Sequence, residues 1–304
     1  MTWRHFDRSL GCLVSPALDE LAAQLSCVEG FSASERDVIT AATRESLYTI
    51  LHTKLSRLLV LELNAARVTG RLSGEDSEQR WQQFLELSSQ QSFWDDLASH
   101  YPSLRRVDRL VRNRCKATLC FAQRFAADRR RLESLCAGEL LGGGLGELNE
   151  LSFGAGDSHR GGLTVAIARG EGWRVVYKPR SLAIDSTLRG FIADLAGDHG
   201  SPLSVRVPKS LDCGDYGWVE FVPHQFAAGD EELLSFYRGI GHLLALMRLL
   251  SGSDLHAENV IAHGGSPVVV DCETLFTPKI PPPPSGYGKA FDRAGELIDR
   301  KSVV

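Results

Sequence analysis

Late in this 304-residue chain, two carboxylates and an amide stand close together in sequence. The stretch Ser253-Asp-Leu-His-Ala-Glu-Asn-Val-Ile261 reads as a tight loop running into a short strand. A turn at Gly264-Gly265 and a second strand, Val268-Val-Val-Asp271, follow and end on an acid. Asp254 and Asn259 are five residues apart, and Asp271 comes twelve residues after Asn259. Asp, Asn and Asp in that order, at the ends of short apolar strands, suit phosphoryl transfer from a nucleotide. One carboxylate orients or deprotonates the attacking hydroxyl, while the amide and the second carboxylate hold magnesium against the phosphates. The plainer reading is a surface loop between two buried strands. What weighs against it is a strand lysine upstream, where such a site needs one.

That lysine is Lys178. The segment Gly154-Ala-Gly-Asp-Ser-His-Arg-Gly-Gly162 leads into Leu163 to Ala168, Gly170-Glu-Gly172 makes a turn, and Trp173 to Lys178 forms a second β-rich run. The two runs predict a hairpin. In kinase-like folds a glycine-rich hairpin covers the phosphates and a strand lysine reaches the α- and β-phosphates. Pro179 lacks a backbone donor and fixes the strand end. Taken alone, Lys178 is an ordinary strand-end lysine; together with Asp254, Asn259 and Asp271 it defines a constellation. Protein kinases arrange these groups as H-R-D-x-x-x-x-N followed by D-F-G. Here His256 follows its Asp by two residues and the second acid sits in Asp271-Cys-Glu-Thr-Leu, so the chain is kinase-like without being an ordinary protein kinase.

The elements that must position these residues are legible from periodicity. Residues 1 to about 140 read as helical. Leu47, Ile50, Leu51, Leu55, Leu58 and Leu59 recur at helical spacing. Trp81, Phe84, Leu85, Phe93, Trp94 and Leu97 mark a second helical region, and Leu104, Val107, Leu110, Val111, Leu119, Phe121 and Phe125 a third. The third is strongly basic, with Arg105, Arg106, Arg109, Arg112, Arg114 and further cations to Arg131. It is either a solvated face or a surface for an acidic peptide or phosphates. Residues 138 to 156, with Gly142, Gly143, Gly144 and Gly146, read as a linker or turn and as a domain boundary. Ile184 to Gly197 predicts a helix in the place from which kinases bring an acid to the strand lysine; Asp185 and Asp194 are the two candidates. Trp218-Val-Glu-Phe-Val222 predicts a strand before Pro223, where a kinase has its hinge. Leu233 to Leu250 predicts a long helix that buries Phe236, Ile240, Leu243, Leu244 and Met247.

Composition bounds the rest. The chain is 43% hydrophobic and 24% charged with a net charge of -4, ordinary for a globular protein and no invitation to nucleic acid. Seven cysteines show neither a C-x-x-C pair nor zinc spacing, which predicts reduced thiols and a cytoplasmic setting. There is no signal-peptide core, and charges such as Arg248 break the apolar runs, so no transmembrane helix is expected.

Four segments carry a family resemblance: Gly156-Asp-Ser-His159, Val176-Tyr-Lys-Pro-Arg-Ser-Leu182, Ser253-Asp-Leu-His-Ala-Glu-Asn259 and Val270-Asp-Cys-Glu-Thr-Leu-Phe276. In order and spacing they resemble the dehydratase domain of class II lanthipeptide (lantibiotic) synthetases, over residues 156 to 276. The resemblance implies an α+β fold: a helical N-terminal region, residues 1–140, then a lipid-kinase-like two-lobed core, residues 141–276, with the N-lobe sheet and the start of a C-lobe. Residues 277–304, with Pro281 to Pro284, form a stiff segment and tail. It further implies ATP- and magnesium-dependent phosphorylation of Ser and Thr in a ribosomal precursor peptide, as the first half of dehydration to dehydroalanine or dehydrobutyrine. By motif, Lys178 contacts the ATP phosphates, Asp254 activates the substrate hydroxyl with His256 in support, and Asn259 and Asp271 bind Mg2+. Asp157 and His159 lie near the phosphates. The family's elimination residues and zinc cyclase have no counterpart in the 33 residues after Asp271, so a truncated or split dehydratase is expected, one that a second chain would complete. The alternative is a non-catalytic fragment that binds a peptide or a partner. A small-molecule kinase fits less well, because there the His precedes the catalytic Asp.

Overall fold

The computed structural model describes residues 5–136, 144–154, 160–199, 203–252, 256–275 and 286–292. The chain divides into two compact units, Met1–Arg174 and Val175–Val304. Among the described residues, five strands join in one sheet in the order Leu148–Phe153 (β1), Ala166–Gly170 (β2), Trp173–Lys178 (β3), Gly217–Glu220 (β5) and Ser210–Asp212 (β4), and Val260–His263 (β6) and Ser266–Val269 (β7) form a separate hairpin. This is the α+β organisation implied by the sequence.

The first unit is mainly helical: α1 (Asp7–Ser26), α2 (Ala33–Val68), α3 (Ser77–Ser88), α4 (Gln91–His100) and α5 (Arg105–Leu135). Helix α2 starts from a capping box, in which Ser32 Oγ accepts from the Glu35 backbone N–H at 3.2 Å and the Ser32 N–H donates to Glu35 Oε2 at 2.9 Å. Its buried stripe, Ile39, Thr43, Leu47, Leu51, Leu55 and Leu59, recurs every fourth residue. Ile50 and Leu58, expected on the same face, are half-buried at its border. Trp94 of α4 fastens the bundle, its indole N–H donating to the carbonyls of Ser9 and Ser88 at 3.1 and 2.9 Å. In α5, Phe125 stacks on Phe31, Phe121 and Trp173 with ring centroids 5.9 to 6.0 Å apart.

Strand β1 (Leu148–Phe153) corrects the expectation that residues 138 to 156 are only a linker. It pairs antiparallel with β2 (Ala166–Gly170), Leu151 facing Ala168 and Phe153 facing Ala166. A register shift between Leu148 and Glu150 puts two exposed residues between the buried Leu148 and Leu151. That bulge breaks the period of two by which a half-buried strand announces itself.

Strand β3 (Trp173–Lys178) completes the predicted hairpin with β2; its turn places Gly172 at φ 72°, a left-handed conformation in which glycine carries no Cβ penalty. The second unit continues with α6 (Ala183–His199), β4 (Ser210–Asp212), β5 (Gly217–Glu220), α7 (Asp230–Leu249) and the hairpin of β6 (Val260–His263) and β7 (Ser266–Val269). Strand β5 pairs antiparallel with β3, setting Gly217 opposite Lys178. A Cβ on Gly217 would sit 2.4 Å from the Leu182 side chain, so only glycine lets the chain pass there. Leu188 and Ile192 of α6 pack with Leu243, Leu246 and Met247 of α7 and with Val269 of β7.

The α7 face is rotated from its expected position. Leu243 and Met247 are buried, Phe236 and Ile240 are half-buried, and Leu244 is 42% exposed. Gly239 is the cause: a Cβ there would lie 2.4 Å from the Ser204 carbonyl oxygen and 2.5 Å from Pro267. The helix therefore meets its neighbours along Gly239, Leu243 and Leu246, and a glycine gives no hydrophobic signal of that contact.

Candidate active site

Three of the residues singled out by spacing, Lys178, Asn259 and Asp271, lie near Val270 in the second unit. Lys178 ends β3 with its residue only 8% exposed, and its ammonium donates to the Val270 carbonyl. Burial pushes the Lys178 pKa below its ordinary value, and the neighbouring Arg180 adds to the effect, while Asp271 and Asp185 oppose it. The Val270 backbone N–H in turn donates to the Asn259 carbonyl at 2.9 Å. One residue, Val270, thus ties the strand lysine to the loop bearing Asn259, and Asp271 is its neighbour in the chain. The predicted hairpin holds this arrangement: β6 starts immediately after Asn259, turns at Gly264 (φ 57°) and returns along β7 toward Asp271.

Arg180 organises the acids. It stands two residues beyond Lys178, its side chain 15% exposed. Nη1 reaches Asp185 Oδ2 at 2.8 Å, Nη2 reaches Asp271 Oδ1 at 2.6 Å, and Nε reaches Glu273 Oε2 at 3.5 Å. Burial alone would lower the Arg180 pKa, but Asp185, Asp271 and Glu273 outweigh it and hold the guanidinium more firmly charged. Asp185, in the first turn of α6, is therefore the acid that this helix brings to the site, and it meets Arg180. Asp194 is exposed. Arg180 and Glu273 were within the quoted motifs but received no role from spacing, because an arginine just past a strand end is usually solvated. Behind the acids, burial pushes the Cys272 thiol up to about 12, so it is inert as a nucleophile.

His256 precedes a single helical turn at residues 257–259 and is half-exposed. The Glu258 N–H donates to its Nδ1 at 3.3 Å, and the Asn259 amide lies 3.4 Å from its Nε2. A neutral imidazole accepts at one nitrogen only, so these two long contacts leave the ring loosely held. Asp254, Asp157 and His159 lie outside the described residues.

Asn259 and Asp271 are of the donor types that a magnesium ion takes, and Asp271 is already paired with Arg180. Asn259 and Asp271 offer hard oxygens from neighbouring segments, and Mg2+ commonly takes one or two protein ligands with the rest from phosphates and water. Among the described residues no group of three His, Cys, Asp or Glu could form an all-protein metal cage. Also among the described residues, no helix is long and apolar enough to cross a membrane.

The family described as a domain of unknown function (DUF4135) matches residues 101–304, two-thirds of the sequence, and the chain belongs to it. The chain is also 27% identical, over 254 residues, to the lacticin 481/lactococcin biosynthesis protein LcnDR2 of Lactococcus lactis subsp. lactis. That match covers 81% of this chain and 27% of the relative's own length. The relation to lanthipeptide synthetases read from the four motifs agrees with both matches.

Proposed function

We propose that this chain carries the phosphorylating half of a lanthipeptide dehydratase, transferring phosphate from ATP to Ser and Thr of a ribosomal precursor peptide. The observation that carries this reading is the convergence of Lys178, Asn259 and Asp271 on Val270. In it, Lys178 contacts the nucleotide phosphates, and Asn259 and Asp271 hold magnesium, which neutralises charge developing on the transferred group. Asp254 takes the hydroxyl proton, with His256 in support. The substrate oxygen bonds to the γ-phosphorus, the bond to the β,γ-bridging oxygen breaks, and ADP leaves. Asp157 and His159 act near the phosphates. Residues 141–276 form the kinase-like core, and residues 1–140 the helical region. Elimination of the phosphate, and any second chain supplying it, belong to the same proposal.

The test is mass spectrometry of a precursor peptide from a neighbouring reading frame, incubated with the chain, ATP and Mg2+. Phosphate gain that disappears in Asp271→Asn is the expected result; an unmodified peptide overturns the proposal. A second reading, a non-catalytic peptide- or partner-binding module, is favoured by one observation. Arg180 already neutralises Asp271, as an internal cation would in a site that no longer takes metal. Nucleotide binding that is the same with and without Mg2+, and the same in Asp271→Asn, would decide for that reading.

A further inference from the structure

Arg180 commits every edge of its guanidinium to one cluster. Nη1 meets Asp185 at 2.8 Å, Nη2 meets Asp271 at 2.6 Å and Nε meets Glu273 at 3.5 Å. Nη1 also donates to the Ser181 carbonyl at 3.0 Å. The anchor of the cluster is Asp185. Its side chain is 6% exposed and lies in the first turn of α6, whose Leu188 and Ile192 are fixed in the core against α7 and β7. Asp271 is different. It comes two residues after the end of β7, and its side chain is 35% exposed. Packing does little to select the rotamer of a carboxylate so open to water; here a charged fork selects it.

The contacts of the Asp271 side chain fall on one oxygen. Arg180 Nη2 donates to Oδ1, and the Glu273 N–H lies 3.5 Å from the same atom. Oδ2 has no partner among the described residues, so it keeps its full capacity as an acceptor. Lys178, two residues before Arg180, donates to the Val270 carbonyl, which leaves the orientation of the carboxylate to Arg180. Nor do the cations cancel the charge of the cluster. Asp185, Asp271 and Glu273 bring three negative charges against two positive ones, Arg180 and Lys178, so a net negative charge remains. A further cation is therefore still attracted to an acid that is already oriented.

We propose that Arg180 is a positioning residue for metal binding: it holds Oδ1 of Asp271 against the α6 acid, presets the carboxylate and reserves Oδ2 for the divalent cation that accompanies the nucleotide. The inference rests on the metal role proposed for Asp271, and not on transfer to a peptide. The experiment is a fluorescence titration of the full chain with a methylanthraniloyl-labelled, non-hydrolysable ATP analogue, in excess Mg2+ and in EDTA. The ratio of the two Kd values measures how strongly cation and nucleotide support one another, and the unsubstituted chain should bind about tenfold or more tightly with Mg2+. Arg180→Lys keeps the positive charge but not the fork, and one ammonium cannot hold Asp185 and Asp271 in the same geometry. It should reduce the ratio to about threefold or less, with the Kd in EDTA changed by less than about twofold. Asp185→Asn reaches Asp271 only through Arg180 and should shift the ratio in the same direction. A loss of packing alone would weaken binding equally with and without Mg2+ and leave the ratio as it was. Far-UV circular dichroism and thermal melting check the fold, and Asp185→Asn carries the test if Arg180→Lys is unfolded. A ratio that the folded variants leave unchanged overturns the proposal, and so does an increase, which would mean that Arg180 competes with the ion. Absence of any Mg2+ effect in the unsubstituted chain overturns it together with the metal site of the proposed function. An Mg2+ effect that depends on Arg180, without phosphate transfer to the precursor, would sink the proposed function and leave the positioning role standing. Phosphate transfer with a ratio indifferent to Arg180 would do the reverse.

Discussion

Arg180 shows how much of this site depends on one side chain that spacing did not single out. Its guanidinium joins Asp185 of α6 to Asp271, 86 residues further along the chain, and reaches Glu273 as well. Asp185 has a side chain only 6% exposed and pairs with Arg180, so removing Arg180 leaves a buried carboxyl without that partner. Arg180→Ala should therefore cost about 3–5 kcal/mol, the usual penalty for leaving one partner of a buried ion pair uncompensated. Urea unfolding measures it, and a loss below about 1 kcal/mol would show that the pair behaves as a solvated surface ion pair. Asp185→Asn combined with Arg180→Ala should recover part of the loss, since the orphaned charge is then gone. Lys178, Asn259 and Asp271 stood out in the sequence because their types and intervals repeat a known chemical layout. Arg180 did not, because its partners are set by tertiary contacts that no local pattern encodes.

At the scale of elements, Glu35 does for the first unit what Arg180 does for the second. It closes the capping box of α2, pairs with Arg129 of α5 at 2.7 Å and accepts the first N–H of β1. Burial alone would raise its pKa, but Arg129 and the N–H groups of Leu148 and Ser32 outweigh burial and hold it below the ordinary 4.5. A carboxylate with a depressed folded pKa contributes stability above its unfolded value and loses that contribution as pH falls through the folded one. Glu35→Gln should accordingly cost about 3–5 kcal/mol at neutral pH. The gap to the unsubstituted chain should narrow as pH drops below 4.5. Denaturant titrations at several pH values check this, and a gap that stays constant with pH would mean that the Glu35 pKa is the same in the folded and unfolded chain. Helix α2, the α3–α4 region and α5 were readable because their apolar residues repeat at helical intervals. Strand β1 was hidden by its bulge, and the α7 face by Gly239, two places where backbone geometry rather than side-chain hydrophobicity decides the packing.

For the whole molecule, the Glu35–Arg129 pair belongs to the first compact unit and the Lys178–Arg180–Asp271 cluster to the second. Stability of the helical unit and the proposed phosphoryl transfer thus fall on different residues, and kinetics can separate them. Glu35→Gln alters no group of the proposed site, so below its unfolding temperature it should leave kcat within about twofold. In the proposed role of Asp271, Asp271→Asn removes a ligand for the charge of the transferred group, so it should lower kcat by about a hundredfold or more while precursor Kd stays within about twofold. Quantitative mass spectrometry of phosphorylated precursor against time measures kcat, and fluorescence anisotropy of the labelled precursor measures Kd. A large fall in kcat for folded Glu35→Gln would mean that the two units do not act independently. A parallel loss of precursor binding in Asp271→Asn would mean that the peptide is held at the phosphoryl site itself, so that one set of residues both binds and reacts.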